Sequence, residues 1–367
     1  MKRVFAYEGK AVVREIAEPV LRYGEVLVDT AFSTISTGTE TIILRKSAED
    51  PGKDQEYPGS DPHWLKVRDG MPGRILPRPA MAEGIAMGYS AAGVIRAVGE
   101  GVTDLAPGMA VACSGSQCTH HAEVIAVPRN LVRRVPEGVS LREAAFVTLG
   151  SIATESLRKS DCRFGETVLI YGLGLLGLLA AQIAQAAGLS VIGVDINPLS
   201  LERARGLGIT DVFDPTDAGT DRAIRELTGG FGVDAALVTV VTESNVPFNH
   251  AISLCRQRGV VVSVGVFGMT LDRATVVDND ITIRQAVAYG PGRYDPVYEE
   301  DGVDFAIGYV RWTENRNMGY FLKLLASGQV QVLPLAPELL PIEEAQQAYE
   351  LLQQPGRPPT VQFRYQS

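Results

Sequence analysis

The hexapeptide Gly172-Leu173-Gly174-Leu175-Leu176-Gly177 follows directly on the apolar run Thr167–Tyr171 and precedes a helix-like stretch through AAQIAQAA. In that setting each glycine has its own task. Gly172 permits a tight turn, Gly174 lets backbone approach a pyrophosphate, and Gly177 lets the helix pack closely on the strand. The N–H groups at the helix start, at Leu175 and Leu176, then face the phosphates. Three glycines alone could mark a close-packed turn, but the next apolar run ends in Asp195, eighteen positions past Gly177. That spacing suits a carboxylate accepting the ribose hydroxyls of a dinucleotide. A carboxylate repels a 2′-phosphate and no arginine follows it in DINPLS, so NAD is expected over NADP, with Arg203 a basic residue that could compensate.

The elements that must carry this turn alternate between buried strands and helices. TVLIY, SVIGVD, DAALVTV, GVVVSVG and DITIRQAVAY read as strands, and the runs through AAQIAQAA and LSLERARGLG read as helices. This is the rhythm of a doubly wound parallel sheet. Before it, short runs such as Glu25–Val28, Gly93–Ile95, Ala110–Cys113 and Val124–Val127 are punctuated by Gly and Pro, as in a small β-barrel or sandwich. Between Arg45 and Pro79 the chain turns polar and Pro/Gly-rich and reads as a surface loop. After Tyr289 the strand-helix rhythm stops, and helices near NMGYFLKLLASG and PIEEAQQAYELLQ are expected to rejoin the first domain.

The 367 residues, with 46% hydrophobic and 21% charged, suffice for two domains. A net charge of −9 argues against nucleic acid or an anionic membrane as partner. No span-length apolar run or secretory leader is legible, and four scattered cysteines suit a reducing compartment, so the expected location is the cytoplasm.

The order of parts, carried by GEVLVDTAFSTISTGTE, GYSAAGVIRAVGEGV, PGMAVAC, HAEVIAVP, GLGLLG and SVGVFG, resembles the medium-chain dehydrogenase/reductase superfamily of alcohol dehydrogenase-like enzymes. The stretch YGPGRYDPVYEEDGVDFAIGYVRWTENRNM is similar to a zinc-lacking branch, the first domain of bi-domain oxidoreductases. The resemblance implies an α/β chain with a GroES-like β-rich catalytic domain over residues 1–147 and 289–367 and a Rossmann domain over 148–288. It implies NAD(H)-dependent hydride transfer on a small molecule, and commonly a homo-oligomer.

In zinc-dependent members of this family the three metal-ligand positions correspond by resemblance to Thr37, Tyr89 and Leu149, none of which is a usual zinc ligand. No metal is therefore expected. The family's four-cysteine lobe is reduced here to Cys113 and Cys118, which read as small packed residues. Without zinc, a side chain must handle the proton of the reacting hydroxyl. Tyr89 is the first candidate, Thr39 holds a family relay position, and His121 has a suitable intrinsic pKa. Tyr89 as a filler of the metal void and His121 as a structural histidine are the competing readings. His120 and His121, read as a strand pair, would point to opposite faces.

By the same resemblance the backbone of Val264, Gly265 and Val266 lies at the nicotinamide carboxamide. Thr37, Tyr289, Arg293, Tyr294, Arg311, Trp312 and Arg316 form an aromatic and guanidinium concentration suited to an anionic or carbohydrate-like substrate. The alternative is an ion-pair network with Glu299, Glu300 and Glu314 that clamps the domains. The expected reaction interconverts a secondary alcohol and ketone on a sugar, cyclitol or similar metabolite. An enone or quinone reductase, or a dinucleotide-binding protein without catalysis, are the alternatives.

Overall fold

A computed structural model describes residues 1–49 and 84–366. The amino-terminal part contains β1 (Lys2–Tyr7), β2 (Lys10–Glu15), β3 (Glu25–Thr34), helix α1 (Thr37–Glu49), β4 (Ile85–Ala86), β5 (Ser90–Val98), β6 (Ala110–Ser114), β7 (Val124–Pro128) and β8 (Val132–Arg134). Two short-to-medium helices follow, α2 (Leu141–Ala144) and α3 (Val147–Ser160). Next come β9 (Thr167–Tyr171), α4 (Leu175–Ala186), β10 (Ser190–Val194), α5 (Pro198–Gly206), β11 (Asp211–Phe213), α6 (Thr220–Leu227), β12 (Val233–Val238), α7 (Val246–Leu254), β13 (Cys255–Ser263), α8 (Arg273–Asp278) and β14 (Thr282–Gln285). The chain closes with α9 (Pro296–Glu299), α10 (Glu314–Ala326), β15 (Leu339–Pro341), α11 (Ala345–Leu351) and β16 (Gln362–Arg364).

Strands β9 to β14 form one six-stranded parallel sheet in the order β11-β10-β9-β12-β13-β14. The order reverses between β9 and β12, which places a crevice at the carboxyl ends of those two strands. β9 is buried along almost its whole length, as a strand covered by helices on both faces must be. The register levels Tyr171, Val194, Val238, Ser263 and Gln285 with one another, so five strands end on one line. Loops that leave them form a single rim.

The second large sheet runs β15-β16-β3-β5-β6-β8, with β7 also paired to β3. Its long strand β3 carries a largely alternating buried pattern, and the carboxyl-terminal strand β16 pairs antiparallel with its end. A smaller sheet, β2-β1-β4, packs nearby. The protein is thus α/β, a GroES-like β-rich part joined to a Rossmann part. Helix α3 lies between them. Its buried face packs with β5 and β6 on one side and α4 and α10 on the other, inside one continuous apolar core.

Two expectations need correction. The polar stretch beginning at Arg45 does not start as loop: its first residues complete α1, because Thr37 to Glu49 contains no Pro or internal Gly beyond its first turn; the remainder of the stretch lies outside the described residues. His120 and His121 do not sit in a strand but in the bend between β6 and β7, so strand alternation does not set their directions. No helix among the described residues is long and apolar enough to cross a membrane.

Candidate active site

The glycine turn is built as its spacing requires. Gly172 adopts φ +102°, and a Cβ on Gly177 would fall inside the carbonyl oxygen of Gly172. Gly174 is the N-cap of α4 and lacks a side-chain cap, while a Cβ there would meet nothing within 4 Å. The first turn of a twelve-residue helix therefore opens on space, with Leu175 buried beneath it and Leu176 half-buried. Thr239, just past β12, donates from Oγ1 to the Gly172 carbonyl at 2.6 Å and pins the turn across the crevice. Sequence reasoning missed Thr239, which lies 67 residues away from Gly172.

Asp195 stands at the end of β10 as expected. Its Oδ2 accepts from the Leu173 N–H at 2.7 Å and its Oδ1 from the Asn197 N–H at 2.8 Å. Burial raises its pKa, and those backbone donors oppose the rise. Each oxygen keeps a lone pair for a ribose hydroxyl. Arg203 is otherwise engaged, donating to the carbonyls of Arg357 at 2.7 Å and Gly356 at 3.3 Å.

Along the rim, four aliphatic side chains two or three residues past their strands are strongly exposed: Ile196 at 69%, Val241 at 53%, Val266 at 54% and Val287 at 50%. They follow β10, β12, β13 and β14. Such a shelf lining the opening of a Rossmann crevice fits the flat faces of a dinucleotide. The stretch Val264–Val266 is placed there too, but its N–H groups are all spent on Val238 and Val240 carbonyls. The Val266 carbonyl accepts from the Thr242 N–H at 2.8 Å, which leaves the carbonyls of Val264 and Gly265, so this backbone can accept from a carboxamide and cannot donate to one. The residues present fit a nicotinamide dinucleotide.

Opposite the shelf, Gly38 at the start of α1 comes within contact distance of Val241, since a Cβ there would lie 3.4 Å from its Cγ2. Thr39 is half-buried in the same turn, and its hydroxyl has no hydrogen bond among the described residues. Tyr89, 8% exposed, donates its hydroxyl to Ser36 Oγ at the mouth of this turn. The turn itself is clamped by the chain's end: Ile35 N–H donates to Val361 O at 3.1 Å, and Thr360 Oγ1 donates to Ile35 O at 2.5 Å.

His121 is withdrawn from the cleft. It is fully buried, with Nε2 donating to Glu40 Oε2 at 2.9 Å and Nδ1 bonded to Ser33 Oγ at 2.7 Å. With both ring nitrogens engaged it cannot meet a substrate hydroxyl, so the expectation of His121 as general acid gives way to a structural histidine. Its partners are side chains rather than backbone.

The three positions that resemble zinc-ligand sites do not make a ligand set. Thr37 donates Oγ1 to Pro359 O at 2.7 Å, Tyr89 is tied to Ser36, and Leu149 is fully buried in the apolar core. A hydroxyl spent on a carbonyl, a phenol and a hydrocarbon offer zinc neither thiolate, imidazole nor carboxylate. The Thr37 hydroxyl, with its proton given to Pro359 O, has none to donate to a substrate. Cys113 and Cys118 are thiols whose pKa burial pushes up, to about 12 for Cys118, as inert packed groups behave.

The segment from Tyr289 to Asn317 acts chiefly as a clamp. Arg293 pairs with Glu299 at 2.6 Å and donates to Ser116 Oγ at 2.7 Å and Gln117 Oε1 at 3.0 Å. It also lies over the rings of Tyr294 and Tyr289. Arg316 donates to Asp304 Oδ2 at 2.5 Å and to the Val310 carbonyl at 2.7 Å. Trp312 is stacked between Arg158 of α3, 3.4 Å from its centroid, and Arg311 at 4.0 Å. Burial pushes the Arg158 pKa down to about 10. Tyr289 is buried, with a hydroxyl that finds no partner among the described residues. The expectation that Tyr289, Arg293 and Arg316 face a ligand therefore yields to the clamp: burial and protein partners consume them. Of the seven residues expected at the substrate, Arg311 alone is well exposed.

A family model described as zinc-binding dehydrogenase matches residues 176–303. D-guloside 3-dehydrogenase of Shigella flexneri is 30% identical over 247 residues, covering 65% of this chain and 67% of that protein. (R,R)-butanediol dehydrogenase of Neisseria gonorrhoeae is 27% identical over 245 residues, 58% of this chain and 69% of that one. The crystal structure of galactitol-1-phosphate dehydrogenase from Escherichia coli shares the fold, with a TM-score of 0.76 at 19% identity over 99% of this chain and 100% of that one. The chain belongs to the medium-chain dehydrogenase/reductase superfamily and is an enzyme of the oxidoreductase class.

Proposed function

We propose that this enzyme interconverts a secondary alcohol and its ketone on a polar, polyol- or sugar-like metabolite, using NAD(H) and a tyrosine hydroxyl in place of a metal. The observation that carries the reading is Tyr89, whose hydroxyl is fixed to Ser36 beside the turn that faces the apolar shelf. Relatives named for butanediol and a guloside support the alcohol chemistry. Asp195, with Arg203 tied elsewhere, supports NAD over NADP.

Bound NAD(H) would supply or take the hydride at the substrate carbon. Within the chain, Tyr89 faces the reacting oxygen. In the direction of reduction its proton moves from the phenol to the oxygen as the carbon gains hydride, and the O–H bond of the product forms. The phenolate left behind is stabilised by the Ser36 hydroxyl, which turns to donate into it until solvent returns a proton. Oxidation runs the same transfers backwards. Thr39 is near enough in sequence and free enough to hold the same oxygen, and Gly38 against Val241 narrows the entry of water.

The test is turnover. The purified protein is expected to reduce NAD with members of a polyol, cyclitol and sugar panel, at a rate unchanged by prior chelation of divalent metals. NADH oxidation by enones but not ketones would sink the alcohol reading, and a rate abolished by chelation and restored by zinc would sink the tyrosine.

A further inference from the structure

Behind Tyr89 lies a buried polar assembly that the reaction as described does not use. Glu40, fully buried on α1, accepts three hydrogen bonds: from the Ser36 N–H at 2.7 Å, from His121 Nε2 at 2.9 Å and from the Tyr349 hydroxyl at 2.5 Å. His121 continues to Ser33 Oγ at 2.7 Å, and Ser33 to the Tyr365 hydroxyl at 2.7 Å. Edge-on contact with Phe363, ring centroids 5.0 Å apart, fixes the His121 ring as well. Five segments thus converge: the end of β3, α1, the bend before β7, α11 and the tail after β16.

Burying a carboxylate is costly unless its acceptor sites are filled. Here three donors fill them, and among the described residues the arrangement reaches Tyr89 through Ser36. Its N–H is gripped by Glu40 and its Oγ receives Tyr89. We infer that Glu40, locked by His121 and Tyr349, is a positioning residue that sets the Tyr89 hydroxyl through Ser36. This rests on the reading of Tyr89 as the group that handles the proton.

Glu40 positions Tyr89 and does not relay its proton. The bond from Ser36 to Glu40 runs through the backbone N–H, which is no link in a chain of exchanging hydroxyl protons, and no bond joins Ser36 Oγ to the carboxylate among the described residues. Two consequences separate the roles. A glutamine at position 40 keeps an oxygen for the Ser36 N–H, while its amide nitrogen can donate to His121 in its other tautomer. Positioning therefore survives Glu40→Gln and is lost in Glu40→Ala, whereas a relay would be lost in both.

The experiment is a double-mutant cycle on the full-length enzyme, with kcat, KM and NADH affinity measured for wild type, Glu40→Ala, Glu40→Gln, Tyr89→Phe and Glu40→Ala/Tyr89→Phe. A misplaced reacting group costs about a hundredfold, so Glu40→Ala is expected to lower kcat by about tenfold to a hundredfold with NADH affinity unchanged. Glu40→Gln is expected to restore most of it. In the Tyr89→Phe background, removing Glu40 is expected to cost nothing further, since it acts through the absent hydroxyl. Should Glu40→Ala fail to fold, Ser36→Ala reads the same link in both backgrounds. A Glu40→Ala penalty that persists undiminished in Tyr89→Phe, or a Glu40→Gln enzyme as slow as Glu40→Ala, overturns the inference. Full activity of Tyr89→Phe by itself overturns instead the reading on which it rests.

Discussion

The glycine turn and the assembly behind Tyr89 solve the same problem, holding polar groups still at the edge of a cleft, by opposite routes. At the turn, six consecutive residues do almost everything, and the rest of the molecule adds Thr239 and Asp195 as braces. Behind Tyr89 only Ser33, Ser36 and Glu40 lie close together in sequence. His121, Tyr349 and Tyr365 arrive from separate segments. A local site is built into the conformation of its own backbone, so it fails when a backbone atom is displaced. A non-local site is built from bonds between distant side chains, so it fails one bond at a time.

The harshest way to break the first is Gly177→Ala. The new methyl would overlap the Gly172 carbonyl oxygen, which is backbone and cannot swing aside. We expect loss of measurable NADH binding, or a destabilisation above about 3 kcal/mol, read by titration and thermal melting. A variant that binds NADH normally would show the turn to be more pliant than its geometry.

A milder cut is Asp195→Ser, which removes the ribose acceptor and also frees the Leu173 N–H. NADH affinity is expected to fall about tenfold, corresponding to ~1.4 kcal/mol, and NADPH to lose its disadvantage. A wild-type enzyme that already binds both cofactors alike would end the assignment of Asp195 as the discriminator.

The smallest effect sharpens a contrast within the non-local class. The Glu40 assembly is satisfied, whereas Glu314, at the start of α10, buries both carboxylate oxygens without a hydrogen bond among the described residues. Burial drives its pKa well up, nearby Glu299 adds to the rise, and Arg293 opposes it. An acid whose folded pKa exceeds its unfolded one stabilises the fold at low pH, and that contribution is lost as pH climbs through the folded value. Glu314→Gln is therefore expected to melt about 2 °C higher than wild type at alkaline pH and to match it under acid. Equal melting at both ends would mean that Glu314 finds a partner when ionised.

What each route implies for reading a sequence is visible in particular residues. TVLIY followed by three glycines and Asp195 gave the parallel sheet, its turn and its acid, because strand burial, positive φ and helix N-termini are properties of contiguous residues. The β-runs from Glu25 to Val127 gave a β-rich part for the same reason. The stretch ISTGTE was legible as a family motif, yet the partners of Ser36 and Glu40 within it were not. Tyr349 lies 309 residues from Glu40, as Tyr365 lies 332 from Ser33, and nothing in the spacing of tyrosines announces a hydrogen bond. His121 carries an imidazole, a common proton-transfer group, and only the packing around it showed both nitrogens already taken.

The aromatic and guanidinium residues after Tyr289 mark the same boundary. Sequence supplied their chemistry, which serves a bound anion and an internal ion pair equally well. Tertiary structure decided between them by placing Glu299, Ser116 and Gln117 around Arg293 and Asp304 beside Arg316. Sequence by itself determined the elements, the dinucleotide turn and the residue types at the cleft, because these follow from short-range sterics and from the side chains themselves. Which polar groups stay available for chemistry was decided by the fold alone, because a hydrogen-bonding group is free or spent according to neighbours that the chain brings from far away.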